Sequence, residues 1–118
     1  MDKQSAAPAL APPLLDHVFA ALADPTRRAL LERLAAEDGL SVSALAAPIA
    51  MSLPAVMKHL DVLEGSRLIT RRKTGRTVHC RLSAAPMEDA MAWLARYQRF
   101  WAESLDRLAA VVEGEDAP

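Results

Sequence analysis

The chain has 118 residues, the size of one compact domain, and 52% of them are hydrophobic, which is enough to form a core. Its uncharged apolar runs fall short of the roughly 18 residues that cross a bilayer, so we expect a cytoplasmic protein without a membrane partner. One cysteine, Cys80, cannot form an internal disulfide or hold a zinc finger, and a net charge of −1 does not by itself indicate a polyanion-binding protein.

The chain opens with a segment rich in alanine and proline, followed by a first predicted helix. Residues 1–13 are expected to be disordered, because their composition favours no regular element. Leu15 and Phe19 recur at helical spacing, which predicts a short helix from about Leu14 to Ala23.

A second helix is predicted from Pro25 to about Asp38. Asp24 precedes the proline, and a side-chain acceptor followed by proline is typical of a helix N-terminus. Apolar residues at helical spacing give this helix one inward face, and Gly39 stands where a left-handed residue commonly follows a helix. We interpret it as an ordinary amphipathic core helix.

The next two predicted helices are short and close together. Ser41 fits the N-cap of a helix of about two turns, which Pro48 limits. Ser52 fits the N-cap of the following helix, which runs to Glu64 and stops at Gly65. Two short helices joined by a tight turn are typical of a helix-turn-helix. The outer arc of the second helix is expected to carry Pro54, Ala55, Met57, Lys58, Asp61 and Val62.

A β-hairpin is predicted between Leu68 and Leu82, where the apolar period changes from about 3.6 to 2. Lys73 to Arg76, which contains a glycine, is predicted to be its four-residue tip. From Ser52 to Leu82 there are seven basic and two acidic residues, a local balance of +5 that leaves −6 for the rest of the chain. A basic hairpin after a helix-turn-helix is typical of a wing, and its charge indicates a surface for a polyanion.

One long helix is predicted from Pro86 to about Glu113, so the folded domain spans residues 14–113 and an acidic tail occupies residues 114–118. Its apolar residues form a stripe too broad for a monomer of this size to cover. We therefore predict a homodimer. The predicted dimer interface consists of Leu15, Phe19, Leu94, Tyr97, Trp101, Leu105 and Leu108.

Four motifs carry a resemblance to a known family: DPTRR at residues 24–28, LSVSALA at 40–46, S-x-P-A-V-x-K-H-L at 52–60, and the Gly75-Arg76 tip. Over residues 22–82, about half of the chain, the sequence strongly resembles the ArsR (arsenical-resistance-repressor) family of winged helix-turn-helix regulators. The resemblance implies a mainly α fold with a small β-hairpin wing and about five helices. It also implies a homodimer, joined through the first and last helices, that represses transcription at an inverted-repeat operator.

The metal-binding motifs of that family are absent from this sequence. Metal-sensing members carry cysteines in the short helix that here begins SVSAL at residues 41–45, or paired histidines and carboxylates on the last helix. The resemblance therefore implies a branch that does not sense metals, and we expect no metal site and no cofactor. The sequence leaves open whether a small molecule or a protein acts as effector.

We interpret the chain as a sequence-specific DNA-binding regulator, in the form of a homodimeric repressor. A winged-helix module used only for protein contacts is the alternative, and no catalytic pair at a familiar spacing indicates an enzyme. His59 is left open between a packed histidine and a DNA contact, and Cys80 is expected to be a buried, inert thiol. The predicted DNA-binding residues are Ser52, Leu53, Ala55, Met57, Lys58, His59, Arg71, Arg72, Lys73 and Arg76.

Overall fold

The computed structural model describes the backbone of residues 12–116 and the side chains of residues 14–114. Along the chain the elements are α1 (Pro12–Leu22), α2 (Pro25–Ala36), β1 (Leu40–Ser41), α3 (Val42–Ala46), α4 (Leu53–Gly65), β2 (Ile69–Thr74), β3 (Thr77–Leu82), α5 (Ala85–Ala95) and α6 (Gln98–Asp116). The fold is mainly helical with a small antiparallel sheet, as the sequence predicts. The segment predicted to be disordered, residues 1–13, lies outside the described residues except for its last two positions, where α1 begins.

One hydrophobic core lies between helices α1 to α4 and the inner face of the sheet, and α5 closes it on one side. In α2 and α4 the buried residues recur at helical spacing, so each helix turns one face inward. Fully burying one leucine contributes about 1.5–3 kcal/mol, so this core holds α4 firmly in place. The buried apolar residues are Val18, Ala21, Leu30, Leu31, Leu34, Leu40, Leu45, Val56, Leu60, Leu63, Leu68, Ile69, Cys80 and Ala90.

Helix α2 begins as predicted, with an aspartate cap and a proline in its first turn. The Oδ2 atom of Asp24 accepts a hydrogen bond from the backbone N–H of Arg27 at 3.0 Å. The helix ends at Ala36, two residues before the predicted boundary, because Glu37 has an extended backbone with φ −142°. Gly39 has φ +73° and supplies the left-handed turn into β1.

Helices α3 and α4 form the predicted helix-turn-helix, and both begin at serine caps. The Oγ atom of Ser41 accepts a hydrogen bond from the N–H of Ala44 at 3.1 Å. The Oγ atom of Ser52 accepts one from the N–H of Ala55 at 3.3 Å. Each cap satisfies an N–H that would otherwise have no partner at the helix start, which explains why these serines set the boundaries.

Helix α4 ends at Gly65, but a later residue makes the left-handed turn. The residue with positive φ is Arg67, at +66°. The N–H of Leu68 donates to the carbonyl of Leu63 at 3.0 Å and the N–H of Arg67 donates to the carbonyl of Glu64 at 2.9 Å, which is the pairing of a Schellman motif. Leu63 and Leu68 are fully buried and supply the apolar contact usual in this motif. The helix ends within one residue of the predicted position, but the left-handed residue that terminates it is Arg67, two residues beyond the glycine.

The sheet has three antiparallel strands in the order β1-β3-β2. Strand β1 has two residues and pairs with β3, with Leu40 opposite Cys80. Two residues are too few to show the alternation by which a strand is recognised, so the sequence predicted the hairpin alone. This pairing fixes the wing to the start of α3.

The hairpin of β2 and β3 has a tighter loop than predicted. Lys73 pairs with Val78 and Thr74 pairs with Thr77, so two residues of the predicted four-residue tip belong to the strand. The loop is Gly75 and the residue after it, and the glycine has φ +64°. A positive φ at the first of two loop residues suits the right-handed twist of a hairpin, and glycine adopts it without strain.

The long C-terminal helix of the prediction is two helices, which gives six helices in the described chain instead of about five. Between them, the N–H of Arg96 donates to the carbonyl of Trp93 at 3.2 Å, and the N–H of Tyr97 donates to the carbonyl of Leu94 at 3.0 Å. Such i to i−3 bonds tighten a helix end into a turn. Helix α5 packs against α1, whereas the described side chains of α6 are all exposed. The prediction of one continuous helix is therefore wrong, and α6 also extends to Asp116.

Candidate nucleic-acid interface

The outer side of α4 carries four of the residues predicted to contact DNA. Lys58 is exposed, Leu53 is 52% exposed, and Ala55 and Met57 are partly exposed. A lysine can reach a phosphate or the acceptor atoms of guanine, and small or apolar side chains can contact a thymine methyl group. This side of α4 can therefore offer a charged group and base-contacting groups to a major groove.

Ser52 is exposed at the start of α4. Its Oγ atom already accepts the capping hydrogen bond from Ala55, which leaves the hydroxyl hydrogen free to donate. The N-terminus of a helix also favours an anion, because its first N–H groups and the helix dipole present positive charge. Ser52 can thus cap the helix and contact a phosphate at the same time.

The tip of the wing lies beside the recognition helix. Arg76 lines an open cleft of about 400 Å³ together with Met57 of α4 and Ser43 of α3. Lys73 points to the same side of the hairpin, because its cross-strand partner Val78 also lines this cleft. Wing tip, α3 and α4 therefore share one surface. Ser43 is not among the residues predicted to bind DNA, and no signal in the sequence places it beside the wing.

Arg72 lies on the opposite face of the hairpin. Successive residues of a strand alternate between faces, and Arg72 pairs with His79 on the face turned away from α4. These two residues line a polar groove of about 510 Å³ with Arg81 and two threonines. The structure therefore separates Arg72 from Lys73 and Arg76, although all three are among the predicted DNA-binding residues.

Arg71 is bound within the protein rather than displayed on the wing. Its guanidinium donates to the carboxylates of both Asp61 and Glu64 on α4, with its Nη2 atom 2.6 Å from an oxygen of each. Its side chain is only 17% exposed. Burial alone would lower the pKa of Arg71, but the hydrogen bonds that it donates to these two carboxylates, together with their negative charge, outweigh burial and raise that pKa. Arg71 thus fastens β2 to α4 and neutralises two acidic groups on the recognition helix.

His59 faces the junction of α1 and α2. Its Nδ1 atom lies 3.2 Å from Nη1 of Arg27 and 3.8 Å from the carboxylate of Asp24. The pKa of Asp24 is lowered, chiefly because its carboxylate accepts the backbone hydrogen bond from Arg27. Of the two interpretations left open by the sequence, the geometry gives His59 the intramolecular contact. In the sequence, Arg27 stands out only as part of the DPTRR motif.

The residues of the predicted dimer interface lie on two surfaces of the described chain. Leu94 of α5, Tyr97 in the turn after it, and Trp101, Leu105 and Leu108 of α6 are 48% to 69% exposed. Leu15 and Phe19 of α1 are partly buried against the core. Trp93, which the predicted set omits, connects the surfaces: its ring lies 5.6 Å from that of Phe19 and 5.2 Å from that of Tyr97. Trp93 and Tyr97 are four positions apart in the helix predicted from the sequence, and this spacing could have indicated their contact.

The remaining groups with reactive or metal-binding side chains do not form a second site in the described residues. Cys80 is buried, and burial raises the pKa of its thiol. Among the side chains of residues 14–114, no three histidine, cysteine or acidic groups lie close enough to hold a metal ion. Within the same range, none of the helices is long and apolar enough to cross a membrane.

Comparisons with known proteins agree with this geometry. A family model described as a helix-turn-helix domain matches residues 22–72. The HTH-type transcriptional regulator Rv2034 of Mycobacterium tuberculosis is 37% identical over 100 residues, which cover 85% of this chain and 90% of that protein.

Solved structures also match most of this chain. An ArsR family transcriptional regulator is 44% identical, with a TM-score of 0.72 and coverage of 80% of this chain and 97% of that one. The homodimeric winged helix-turn-helix DNA-binding domain of a possible ArsR-family regulator from Mycobacterium bovis is 26% identical, with a TM-score of 0.58 and coverage of 91% and 93%. Because these matches span nearly whole relatives and reproduce the winged helix-turn-helix described above, the chain belongs to the ArsR family of DNA-binding transcriptional regulators.

Proposed function

We propose that the protein is a homodimeric repressor that recognises an inverted-repeat operator with α4 and holds the DNA backbone with its wing. One observation carries this proposal. Arg76 of the wing tip and Met57 of α4 line one cleft, Lys58 is exposed next to Met57 on the same helix, and Arg71 pairs with the two acidic residues of α4. The positive groups that remain there face solvent. Such an arrangement suits DNA: basic side chains contact phosphates, and α4 contacts the base edges.

Helix α4 supplies the sequence preference in this proposal. Ala55 and Met57 contact base edges, and Lys58 binds a guanine or a neighbouring phosphate. Ser52 donates its free hydroxyl hydrogen to the backbone at the helix start. The buried residues of α4 anchor it in the core, so these side chains keep a fixed geometry.

The wing supplies affinity. Arg76 at the tip and Lys73 beside it follow the backbone or enter the adjacent minor groove, where arginine is favoured when the groove is narrow. Arg71 contributes indirectly, because its pairing with Asp61 and Glu64 prevents two carboxylates from repelling the phosphates. His59 contributes through its contact with Arg27 rather than with a base.

A second copy of the chain is the proposed partner of the apolar side of α5 and α6. Trp101 is 69% exposed and Phe100 is 70% exposed. Exposing aromatic side chains of this size to water is unfavourable, so burial against a partner would stabilise them. The similar domain from Mycobacterium bovis is homodimeric. A two-fold symmetric dimer presents two recognition helices to two half-sites of opposite orientation, which accounts for an inverted repeat.

Repression follows in this proposal from occupancy of the operator, since a bound dimer excludes other proteins from that stretch of DNA. We further propose that the protein acts in the cytoplasm as a binding protein rather than an enzyme. Neither metals nor a cofactor take part. A small-molecule or protein effector is not assigned.

Selection of bound duplexes from a random DNA pool tests the proposal. We expect an inverted repeat to be enriched, and we expect the purified protein to bind it at least about a thousandfold more tightly than a scrambled duplex at moderate salt. Binding that is weak and equal on both duplexes would instead favour a winged-helix module for protein contacts. The salt concentration must be matched, because phosphate contacts make every affinity salt-dependent.

A further inference from the structure

Arg27 joins the end of α1 to the recognition helix with one side chain. Its Nε atom donates to the carbonyl of Ala21 at 2.9 Å, and its Nη2 atom donates to the carbonyl of Ala20 at 3.1 Å. Its third nitrogen, Nη1, lies 3.2 Å from Nδ1 of His59 on α4. All three nitrogen groups of the guanidinium are therefore engaged, two on α1 and one on α4.

The direction of the contact with His59 follows from chemistry. Arginine has no acceptor, so Nη1 donates and the Nδ1 atom of His59 accepts. The carboxylate of Asp24 is 3.8 Å away and instead caps α2 by accepting the backbone N–H of Arg27. Arg27 is consequently fixed at its backbone and at its guanidinium, which makes it a rigid connection between the two helices.

The two helices that Arg27 connects have different tasks in the proposed function. Helix α1 packs against α5, where Phe19 contacts Trp93 at the edge of the proposed dimer surface. Helix α4 enters the DNA. In a dimer, the angle between α1 and α4 in each protomer sets the distance and tilt between the two recognition helices.

We propose that Arg27 is a positioning residue that holds α4 at a fixed angle to α1 and thereby sets which half-site spacing the dimer accepts. This inference rests on the proposed function, since it requires a dimer on an inverted repeat. Arg27 contacts no DNA in this scheme. It acts through His59, whose predicted DNA contact is replaced by a contact within the protein.

Arg28 provides a matched control. It is the next residue, carries the same charge and also serves the end of α1, where its Nη1 atom donates to the carbonyl of Leu22 at 2.9 Å. Among the described residues, its side-chain hydrogen bonding is confined to that helix end. Arg28→Ala and Arg27→Ala therefore both remove one positive charge and a contact to α1, but only Arg27→Ala removes the connection to α4.

The experiment measures binding to three operators: the selected sequence, and versions with one base pair added or removed between the half-sites. For Arg27→Ala we expect about tenfold weaker binding to the selected operator and a smaller preference for its spacing, because the core still anchors α4 but the polar link that fixes its angle to α1 is lost. For Arg28→Ala we expect the spacing preference of the unmodified protein. Sedimentation and thermal unfolding establish that each variant is a folded dimer at the concentrations used.

Variants of His59 separate positioning from direct contact. We expect His59→Ala to lose spacing preference as Arg27→Ala does, and the double variant to be no worse than either single one, as for two residues that act through one bond. His59→Gln, which keeps an acceptor, should retain more of the preference than His59→Ala. Additive losses would overturn the inference, because they would mean that the two residues act independently.

Equal spacing preferences in Arg27→Ala and Arg28→Ala would also overturn it and leave Arg27 a simple helix cap. If Arg27→Ala does not fold, Arg27→Lys serves instead. Its single ammonium keeps the charge but cannot match the three-way geometry, so the spacing preference should again fall. Failure of the unmodified protein to prefer any inverted repeat would count against the proposed function itself, which is a different result.

Discussion

At the scale of single residues, the basic side chains of the wing have different roles that depend on the sheet face they occupy. Arg71 faces α4 and is paired with Asp61 and Glu64, whereas Arg72 is exposed on the outer face. Arg76 is at the tip, beside Met57. Because strand residues alternate between faces, adjacent arginines with equal charge meet different surroundings.

Replacing Arg76 with alanine should weaken binding to operator and scrambled duplexes by a similar factor. If each protomer loses one phosphate contact, the log–log salt slope becomes shallower by about 2 per dimer. Arg72→Ala removes the same charge from the opposite face and should change the slope less. DNA-binding titrations from low to moderate salt measure the affinity and the salt slope of both variants. An unchanged affinity and slope for Arg76→Ala would remove the wing tip from the interface.

Replacing Arg71 with alanine should lower operator affinity although this residue does not face solvent. The change leaves the carboxylates of Asp61 and Glu64 unpaired on the recognition helix, and we expect roughly tenfold weaker binding and about 1–2 kcal/mol lower folding stability. Adding Asp61→Asn and Glu64→Gln to this variant should restore part of the affinity by removing the repulsion. If it restores none, neutralisation of the acids is not the role of Arg71.

At the scale of elements, the boundaries of the helices follow from local hydrogen bonding, and the end of α4 shows where a local signal can mislead. Gly65 is the residue that a sequence pattern selects as a stop, yet it is the last helical residue. Arg67 takes the positive φ instead, because the Schellman bonds of Leu68 and Arg67 place the turn there.

Substitutions at Gly65 and at Arg67 should each stabilise the fold. Arg67→Gly relieves the left-handed strain and Gly65→Ala restores helix propensity at a position where an added Cβ meets no atom within 4 Å. We expect about 0.5–1 kcal/mol for each in urea unfolding of the dimer at fixed concentration. If Gly65 rather than Arg67 required the left-handed conformation, Gly65→Ala would destabilise the protein.

At the scale of the whole molecule, the charge and apolar surface are divided between two ends. The segment from Ser52 to Leu82 carries the local balance of +5 and forms α4 and the wing. The exposed apolar side chains are concentrated on α5 and α6. The basic surface thus suits DNA and the apolar surface suits a second copy of the chain, and α1 contacts both α4 and α5.

A single alanine at Trp101 should therefore weaken the dimer. We expect a loss of about 3 kcal/mol in dimer stability if this ring is a buried anchor in the dimer. Glu103→Ala, an exposed charged position on the same helix, serves as control and should leave assembly nearly unchanged. Sedimentation at micromolar concentration measures both. If the unmodified protein sedimented as one species near 12.8 kDa, the mass of a single chain, the predicted dimer would be contradicted.

The response of the whole protein to metals should be absent. Zinc, cadmium and arsenite are expected to leave operator affinity unchanged, because no cluster of metal-binding side chains occurs among the described side chains of residues 14–114. Cys80→Ser should retain DNA binding, since the thiol is buried and its raised pKa disfavours the reactive thiolate. Release of DNA by peroxide or metal in the unmodified protein, abolished by Cys80→Ser, would make this thiol a sensor.

The sequence by itself determined the features that depend on neighbouring residues. Serine and aspartate caps, apolar spacing and a glycine turn located α1 to α4 and the hairpin to within a few residues, because each signal acts over one or two turns of chain. The family resemblance rested on the same local motifs and was confirmed.

Only the tertiary structure decided contacts between distant residues. Arg27 and His59 are 32 positions apart, and Arg71 and Asp61 are 10 apart, so their pairing depends on how the elements pack. No glycine or proline occurs at the break between α5 and α6, so the sequence does not indicate it. Helix α5, before the break, packs against α1. Periodicity shows which face of an element is apolar, whereas the three-dimensional arrangement determines which partner each polar side chain finds.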